Sequence, residues 1–254
     1  MTRTLFIILS LLCSLSLTIK GEGLRVLFIG DSITDGGWGN SGGSAKPSDK
    51  RNHWDLNHIY GHSYMMLCAS HFESLYPEQE YKFFNRGISG DTLRGLVIRC
   101  EKDIIALRPD VLSILIGTND VNEYLRQGAI GTFDLKAWES TYRALLDTVR
   151  KANPDVKLVL CTPFVARTGK IGQSSDFSLR DSLVAECAGI VRQIATDYRA
   201  TLVPFDTLFE QLLREHPVNK GRHWIWDGIH PTPAGHRRMA DLWIEQADSL
   251  LVTN

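Results

Sequence analysis

Leu24-Arg25-Val26-Leu27-Phe28-Ile29 runs directly into Gly30-Asp31-Ser32-Ile33-Thr34-Asp35. The first six residues are apolar except for Arg25, with the β-branched and aromatic content of a strand buried on both faces. The glycine and the small polar residues after it mark the strand's end and leave a serine on the turn. Ser32 is a candidate nucleophile. A serine hydroxyl attacks well only when a neighbouring base takes its proton and hydrogen-bond donors stabilise the oxyanion formed on the substrate. Ser32 therefore predicts an imidazole, a carboxylate to orient it, and donors on converging turns elsewhere in the chain.

Four further segments read as short apolar strands: Tyr81–Phe84, Val111–Ile116, Val156–Cys161 and Thr201–Phe205. Between them, helical spacing of apolar residues predicts helices over Tyr60–Tyr76, Leu93–Leu107, Leu135–Ala152 and Leu179–Tyr198, with a last one over Ala234–Leu251. Alternating strands and helices predict a three-layer α/β/α sandwich around a five-stranded parallel sheet, because near-continuous apolar strands need cover on both faces. In such sheets the ligand crevice lies beyond the carboxyl ends of the strands. Asn85-Arg86-Gly87-Ile88-Ser89-Gly90 follows the second strand, Gly117-Thr118-Asn119-Asp120 the third, and Asp227-Gly228-Ile229-His230-Pro231 follows the fifth and a short helix. All four loops fall at that rim.

With 254 residues, the chain is long enough for one large domain, placed at 23–254. The 28 Lys+Arg balance 29 Asp+Glu without a long run of like charge, which argues against a nucleic-acid partner and for a small, weakly charged substrate. Arg3 followed by the apolar run Leu5–Leu17 reads as a secretory signal over residues 1–22, too short for a membrane span of roughly 20 residues. Export to the periplasm or the exterior is expected, with no stable membrane span after cleavage. Cys68, Cys100, Cys161 and Cys187 match no zinc spacing and read as buried thiols, although one disulfide among them stays open.

Taken together in their order, the four blocks resemble those of the SGNH, or GDSL-type, hydrolases. The resemblance implies a flavodoxin-like sandwich and ester hydrolysis without a cofactor or metal. Carried over by position, it makes Ser32 the nucleophile, His230 the base and Asp227 the carboxylate that holds the imidazole. It implies an oxyanion hole formed by the backbone N–H groups of Ser32 and Gly90 and the side-chain amide of Asn119.

The stretch from Gly36 to Gly61 is much longer than a simple connection. Its second part carries His53, His58 and His62, a conceivable zinc site, but His58 and His62 at helical spacing equally start a helix, and the segment reads best as a wall of the substrate pocket. Trp38, Trp54, Trp224 and Trp226, with His53, are candidate substrate-binding residues; flat aromatic faces suit sugar rings, whereas a long acyl chain favours Leu, Phe and Met. A small-acyl, acetyl-removing esterase of carbohydrate is therefore expected ahead of a lysophospholipase, lipase or thioesterase, and ahead of a non-catalytic carbohydrate-binding protein on the same fold. Arg86 and Arg94 flank Gly90 and are candidate contacts for an acidic sugar. Asp91 and Asp120 are expected to brace their loops through the backbone.

Overall fold

The five expected strands form as β1 (Arg25–Gly30), β2 (Lys82–Gly87), β3 (Val111–Leu115), β4 (Lys157–Cys161) and β5 (Thr201–Val203), all parallel, in the spatial order β2-β1-β3-β4-β5. The computed structural model describes residues 23–37 and 60–252. The expected signal at 1–22 and the candidates Trp38, His53, Trp54 and His58 lie outside the described residues.

Alternation along the strands supplies two cores. Val26 and Phe28 of β1 face one side, with Val111 and Leu115 of β3 and Val159 of β4, while Leu27, Ile29, Leu112, Ile114, Leu158 and Leu160 face the other. The first side is covered by α2 (Tyr64–Leu75), α9 (Phe205–Glu215) and α10 (Pro233–Leu251). Its centre is the fully buried Trp243, whose ring centroid lies 4.6 Å from that of Phe28 and whose indole N–H donates to Ser113 Oγ at 2.9 Å. The second side is covered by α3 (Leu93–Ile98), α6 (Leu135–Ala152) and α8 (Phe177–Asp197).

Two departures from the sequence reading bear on the site. The helix expected over Leu93–Leu107 divides into α3, α4 (Cys100–Asp103) and a 3₁₀ turn at Ile105–Leu107. At the first break sits Arg99, whose buried guanidinium reaches the carbonyls of Arg86 (2.7 Å) and Gly30 (3.3 Å) and the carboxylates of Asp91 and Asp103 (2.8 and 2.9 Å). It thereby ties this segment to the ends of β1 and β2. A helix absent from the sequence reading, α5 (Thr118–Arg126), starts where β3 ends, and two short helices, α1 (Ser32–Asp35) and α7 (Gly169–Gly172), complete the set among the described residues. The four cysteines are buried and free, so no disulfide joins them.

The order β2-β1-β3 means that the chain leaves β1 to one side and returns on the other. The carboxyl ends of β1 and β3 therefore flank the crevice where ligands bind in doubly wound sheets.

Candidate active site

Asp31 follows β1 in extended conformation and caps α1, its Oδ1 accepting the Ile33 N–H at 2.9 Å. This puts Ser32 in the first position of α1, where a backbone N–H has no intrahelical acceptor. The turn is braced from beneath. Asn85 Nδ2 donates to the carbonyls of Thr34 (3.0 Å) and Tyr60 (2.8 Å), Ser63 Oγ to Thr34 O (2.8 Å), and Ser89 Oγ to Asp35 Oδ2 (2.8 Å). Gly87 allows β2 to pass close below: a Cβ there would lie 2.2 Å from the Asp35 nitrogen.

On the opposite rim, an antiparallel bridge between Ile225 and Pro231, with Trp226 N–H donating to His230 O at 3.1 Å, closes a tight loop around Asp227-Gly228-Ile229-His230. Within it, Asp227 Oδ1 accepts the N–H groups of Ile229 (2.9 Å) and His230 (2.8 Å), leaving Oδ2 to face His230 Nδ1 at 2.7 Å. His230 Nε2 lies 2.8 Å from Ser32 Oγ. One carboxylate thus holds both the loop and the ring, and the ring touches the serine.

The electrostatics follow from these contacts. The Asp227 hydrogen bond raises the His230 pKa above its ordinary value, against burial, and the charges of Asp227 and Asp31 add to the rise. Burial alone would raise the Asp227 carboxyl, but the His230 ring and the two backbone N–H groups outweigh it and hold Asp227 below the usual range. Beside Ser32, burial pushes Asp31 up to about 6, opposed by the Ile33 N–H and the His230 charge. Burial likewise lifts Asp120 to about 7 although both its oxygens accept the Leu93 N–H.

Ile88-Ser89-Gly90-Asp91 forms a β-turn closed by Asp91 N–H to Ile88 O at 3.0 Å; Gly90 sits at its third position with φ +85°, as a type II turn requires. The Gly90 N–H has no acceptor among the described residues. Asn119, the second residue of α5, places Nδ2 3.4 Å from Asp31 Oδ2, next to the serine turn.

Not every candidate meets this group. Trp226 is exposed and adjoins Asp227 directly. Trp224 turns the other way: its indole donates to His216 O at 2.9 Å, and it lines a cleft of about 310 Å³ with Leu208, Gln211, Leu212, Glu215 and Arg238, apart from Ser32 and His230. Arg86 is buried and 3.9 Å from Asp103, so the contact to an acidic sugar expected of it gives way to an ion pair inside the fold; Arg94 is exposed. Asp91 and Asp120 do brace their loops, through the N–H groups of Thr92 and Leu93. Among the described residues no group of three or more His, Cys, Asp or Glu is placed to hold a metal ion.

His236, unremarked in the sequence, is close enough to His230 to feel its charge. Its Nδ1 accepts the Tyr64 N–H at 3.1 Å from the start of α2. Burial, with the His230 charge, lowers its pKa to about 4, so the ring is neutral and carries its proton on Nε2.

A serine, an imidazole and a carboxylate in hydrogen-bonded sequence, set beyond the strand ends of a parallel sheet of this order, form an arrangement that can activate a serine for acyl transfer, the chemistry of a serine hydrolase. The GDSL-like lipase/acylhydrolase family model matches residues 28–238, and this chain belongs to that family; it is an ester hydrolase. It is 32% identical over 233 residues to an acetylxylan esterase of Geobacillus stearothermophilus, covering 89% of this chain and 94% of that protein. The crystal structure of an acetylxylan esterase from the same organism superposes with a TM-score of 0.73 at 28% identity, over 89% of this chain and 94% of that one. A GDSL-like lipase structure from Parabacteroides merdae gives a TM-score of 0.75 at 32% identity, over 89% and 96% of the two chains.

Proposed function

We propose that this protein removes acetyl groups from a carbohydrate, with Ser32, His230 and Asp227 as its catalytic triad. The observation that carries the triad is the unbroken path from Ser32 Oγ through the His230 ring to Asp227, with contacts of 2.8 and 2.7 Å. Ser32 Oγ attacks the ester carbonyl carbon as its proton passes to His230 Nε2. The tetrahedral oxyanion is held by the N–H groups of Ser32 and Gly90 and by Asn119 Nδ2. Collapse breaks the bond to the sugar oxygen, which leaves as an alcohol with the proton from His230, and the acetyl group remains on Ser32. Water then attacks, its proton going to His230, and acetate departs as Ser32 recovers its hydrogen. Asp227 keeps the proton on Nδ1 and stabilises the imidazolium.

The choice of acetyl and carbohydrate is supported by the acetylxylan esterases among the relatives and by the exposed Trp226, next to Asp227 in the chain, a flat face for a sugar ring. Trp38, His53 and Trp54 remain proposed partners for the sugar. The test is acetate release from acetylated xylooligosaccharides and p-nitrophenyl acetate by wild type and Ser32→Ala. Abolition by the substitution supports the reading, and retained hydrolysis refutes the triad. Preference for p-nitrophenyl esters of long acyl chains over acetate overturns the substrate assignment.

Residues 1–22 are proposed as an export signal and 23–254 as one hydrolase domain. Among the described residues no helix is long and apolar enough to cross a membrane. N-terminal sequencing of the protein recovered from periplasm or medium checks the cleavage.

A further inference from the structure

Asn119 can serve as an oxyanion donor only with its amide turned one way. Its two ends are close in shape and opposite in chemistry, so a rotation of half a turn about the last side-chain bond would present an oxygen, not an N–H, to the oxyanion. Something must set that choice, and Asn119 does not set it alone.

Asn119 Oδ1 accepts from Asn122 Nδ2 at 3.4 Å, one turn further along α5. Asn122 Oδ1 accepts from Arg180 Nε at 2.9 Å, across the interface with α8. Arg180 is itself immobilised: only 6% exposed, it donates through Nη1 to Ser174 Oγ and Asp176 Oδ1, both at 3.0 Å, and through Nη2 to Asp176 Oδ2 at 3.1 Å. This is a two-pronged guanidinium–carboxylate pair, the most directional ion pair proteins make.

The polarity of the whole chain follows from its first member. A guanidinium has only donors and does not deprotonate. The Asn122 atom facing it must be the oxygen, so the atom that Asn122 turns to Asn119 must be nitrogen. The Asn119 atom receiving that N–H must be oxygen, and Asn119 Nδ2 is left facing the serine turn, where Asp31 Oδ2 accepts one of its two hydrogens at 3.4 Å. The second hydrogen is the one available to the substrate.

We propose that Arg180 and Asn122 are positioning residues that fix the orientation of the Asn119 amide and so keep the oxyanion hole in its donating form. The proposal rests on Asn119 acting as an oxyanion donor. Arg180 has a second connection to the site: Ser174 Oγ, which accepts from Arg180, donates to Ile171 O at 2.7 Å, and Ile171 N–H donates to Asp227 O at 3.0 Å. One buried cation therefore braces both rims of the crevice.

Asn122→Asp separates positioning from folding. The new carboxylate still accepts from Arg180 and strengthens that contact, but it presents an oxygen to Asn119 Oδ1. Asn119 then turns its N–H towards the carboxylate and its oxygen towards the oxyanion site. Turnover of p-nitrophenyl acetate is expected to fall at least about tenfold, approaching the ~10²–10³-fold loss typical of deleting one oxyanion donor. KM should stay close to the wild-type value, since the contact matters in the transition state, and the melting temperature should not drop. Arg180→Met should reproduce the fall in kcat. In the double variant Asn119→Ala/Asn122→Asp, the second change should add nothing to the first. If Asn119→Ala collapses kcat while Asn122→Asp leaves it at the wild-type level, or if the two losses multiply, the positioning role is overturned and the oxyanion reading survives. If Asn119→Ala leaves kcat unchanged, the oxyanion role fails and the positioning role with it.

Discussion

Asp227→Asn tests the triad where its geometry is most constraining. Asp227 Oδ1 is committed to two backbone donors, the N–H groups of Ile229 and His230, at 2.9 and 2.8 Å. An amide at this position keeps its oxygen there, because turning it over would set an NH₂ against two N–H groups. Its nitrogen then faces His230 Nδ1, 2.7 Å away in the native arrangement, and two donors cannot share that contact. The imidazole responds by moving its proton to Nε2, which makes Nε2 a donor towards Ser32 Oγ and removes the base. Loss of the correct tautomer in a Ser-His-Asp site lowers kcat by about 10⁴, or roughly 5.5 kcal/mol in the barrier. The raised pKa of His230 also loses its largest cause, so the acid limb of the residual pH profile should move to lower pH. The loop keeps its two backbone hydrogen bonds, so the melting temperature should change by no more than about 4 °C, the shift for roughly 1 kcal/mol in a chain of this size. The assay is p-nitrophenyl acetate hydrolysis across pH, with thermal melts of the same preparations. A variant retaining more than a tenth of wild-type kcat would refute the reasoning.

Other perturbations probe the scaffold. In the wild-type enzyme kcat/KM should rise with pH through the His230 pKa, with its midpoint above the ordinary imidazole value of 6.5, because only the neutral ring accepts the serine proton; a midpoint below 6.5 contradicts this. Ser113→Ala strips the buried Trp243 N–H of its acceptor and should cost about 1–3 kcal/mol in denaturant unfolding while kcat is unchanged. Gly87→Ala drives a methyl group against the backbone beneath α1, so both stability, by about 1–3 kcal/mol, and kcat should fall; a fully active, equally stable variant would show that the serine turn yields freely. The Asp120 pKa is raised from 3.8 to about 7, so the stability linked to its protonated form is complete below 3.8 and lost as pH rises through 7. Asp120→Asn, which keeps an oxygen for the Leu93 N–H, should raise the melting temperature at pH 8 and leave it unchanged at pH 4.

What could be read from the sequence was whatever is local. The strand cores were legible because burial on both faces leaves an unmistakable apolar run, and Asp227 and His230 because three residues suffice to bring a carboxylate onto a ring. The helix α5 escaped because its first turn, Thr118-Asn119-Asp120, is polar and reads as loop until β3 delivers it to the rim. Arg86 suggested a ligand contact because neighbouring residues do not announce that Asp103 lies beneath. Arg180, Asn122 and His236 were invisible for the same reason: Arg180 meets Asn122, and His236 meets Tyr64, only through the packing of α8 on α5 and of α10 on α2. Trp224 and Trp226 differ by two positions, yet one indole is tied to His216 and the other is exposed, a distinction made by the turn of the loop and not by composition.

Ser32 stands at the end of the first strand and His230 just ahead of the last helix, 198 residues later. The helix that follows His230, α10, packs against α2, and His236 of α10 accepts the Tyr64 N–H at the start of α2. A ribosome-bound chain that has emerged as far as β5 carries Ser32, the proposed nucleophile, but not His230, its proposed base, and is expected to be chemically silent at that stage of synthesis. Hydrolysis therefore requires both ends of the described chain to be in place at once, and its return after dilution from denaturant reports the joining of the first strand's turn to the last helix, which a signal from the sheet does not.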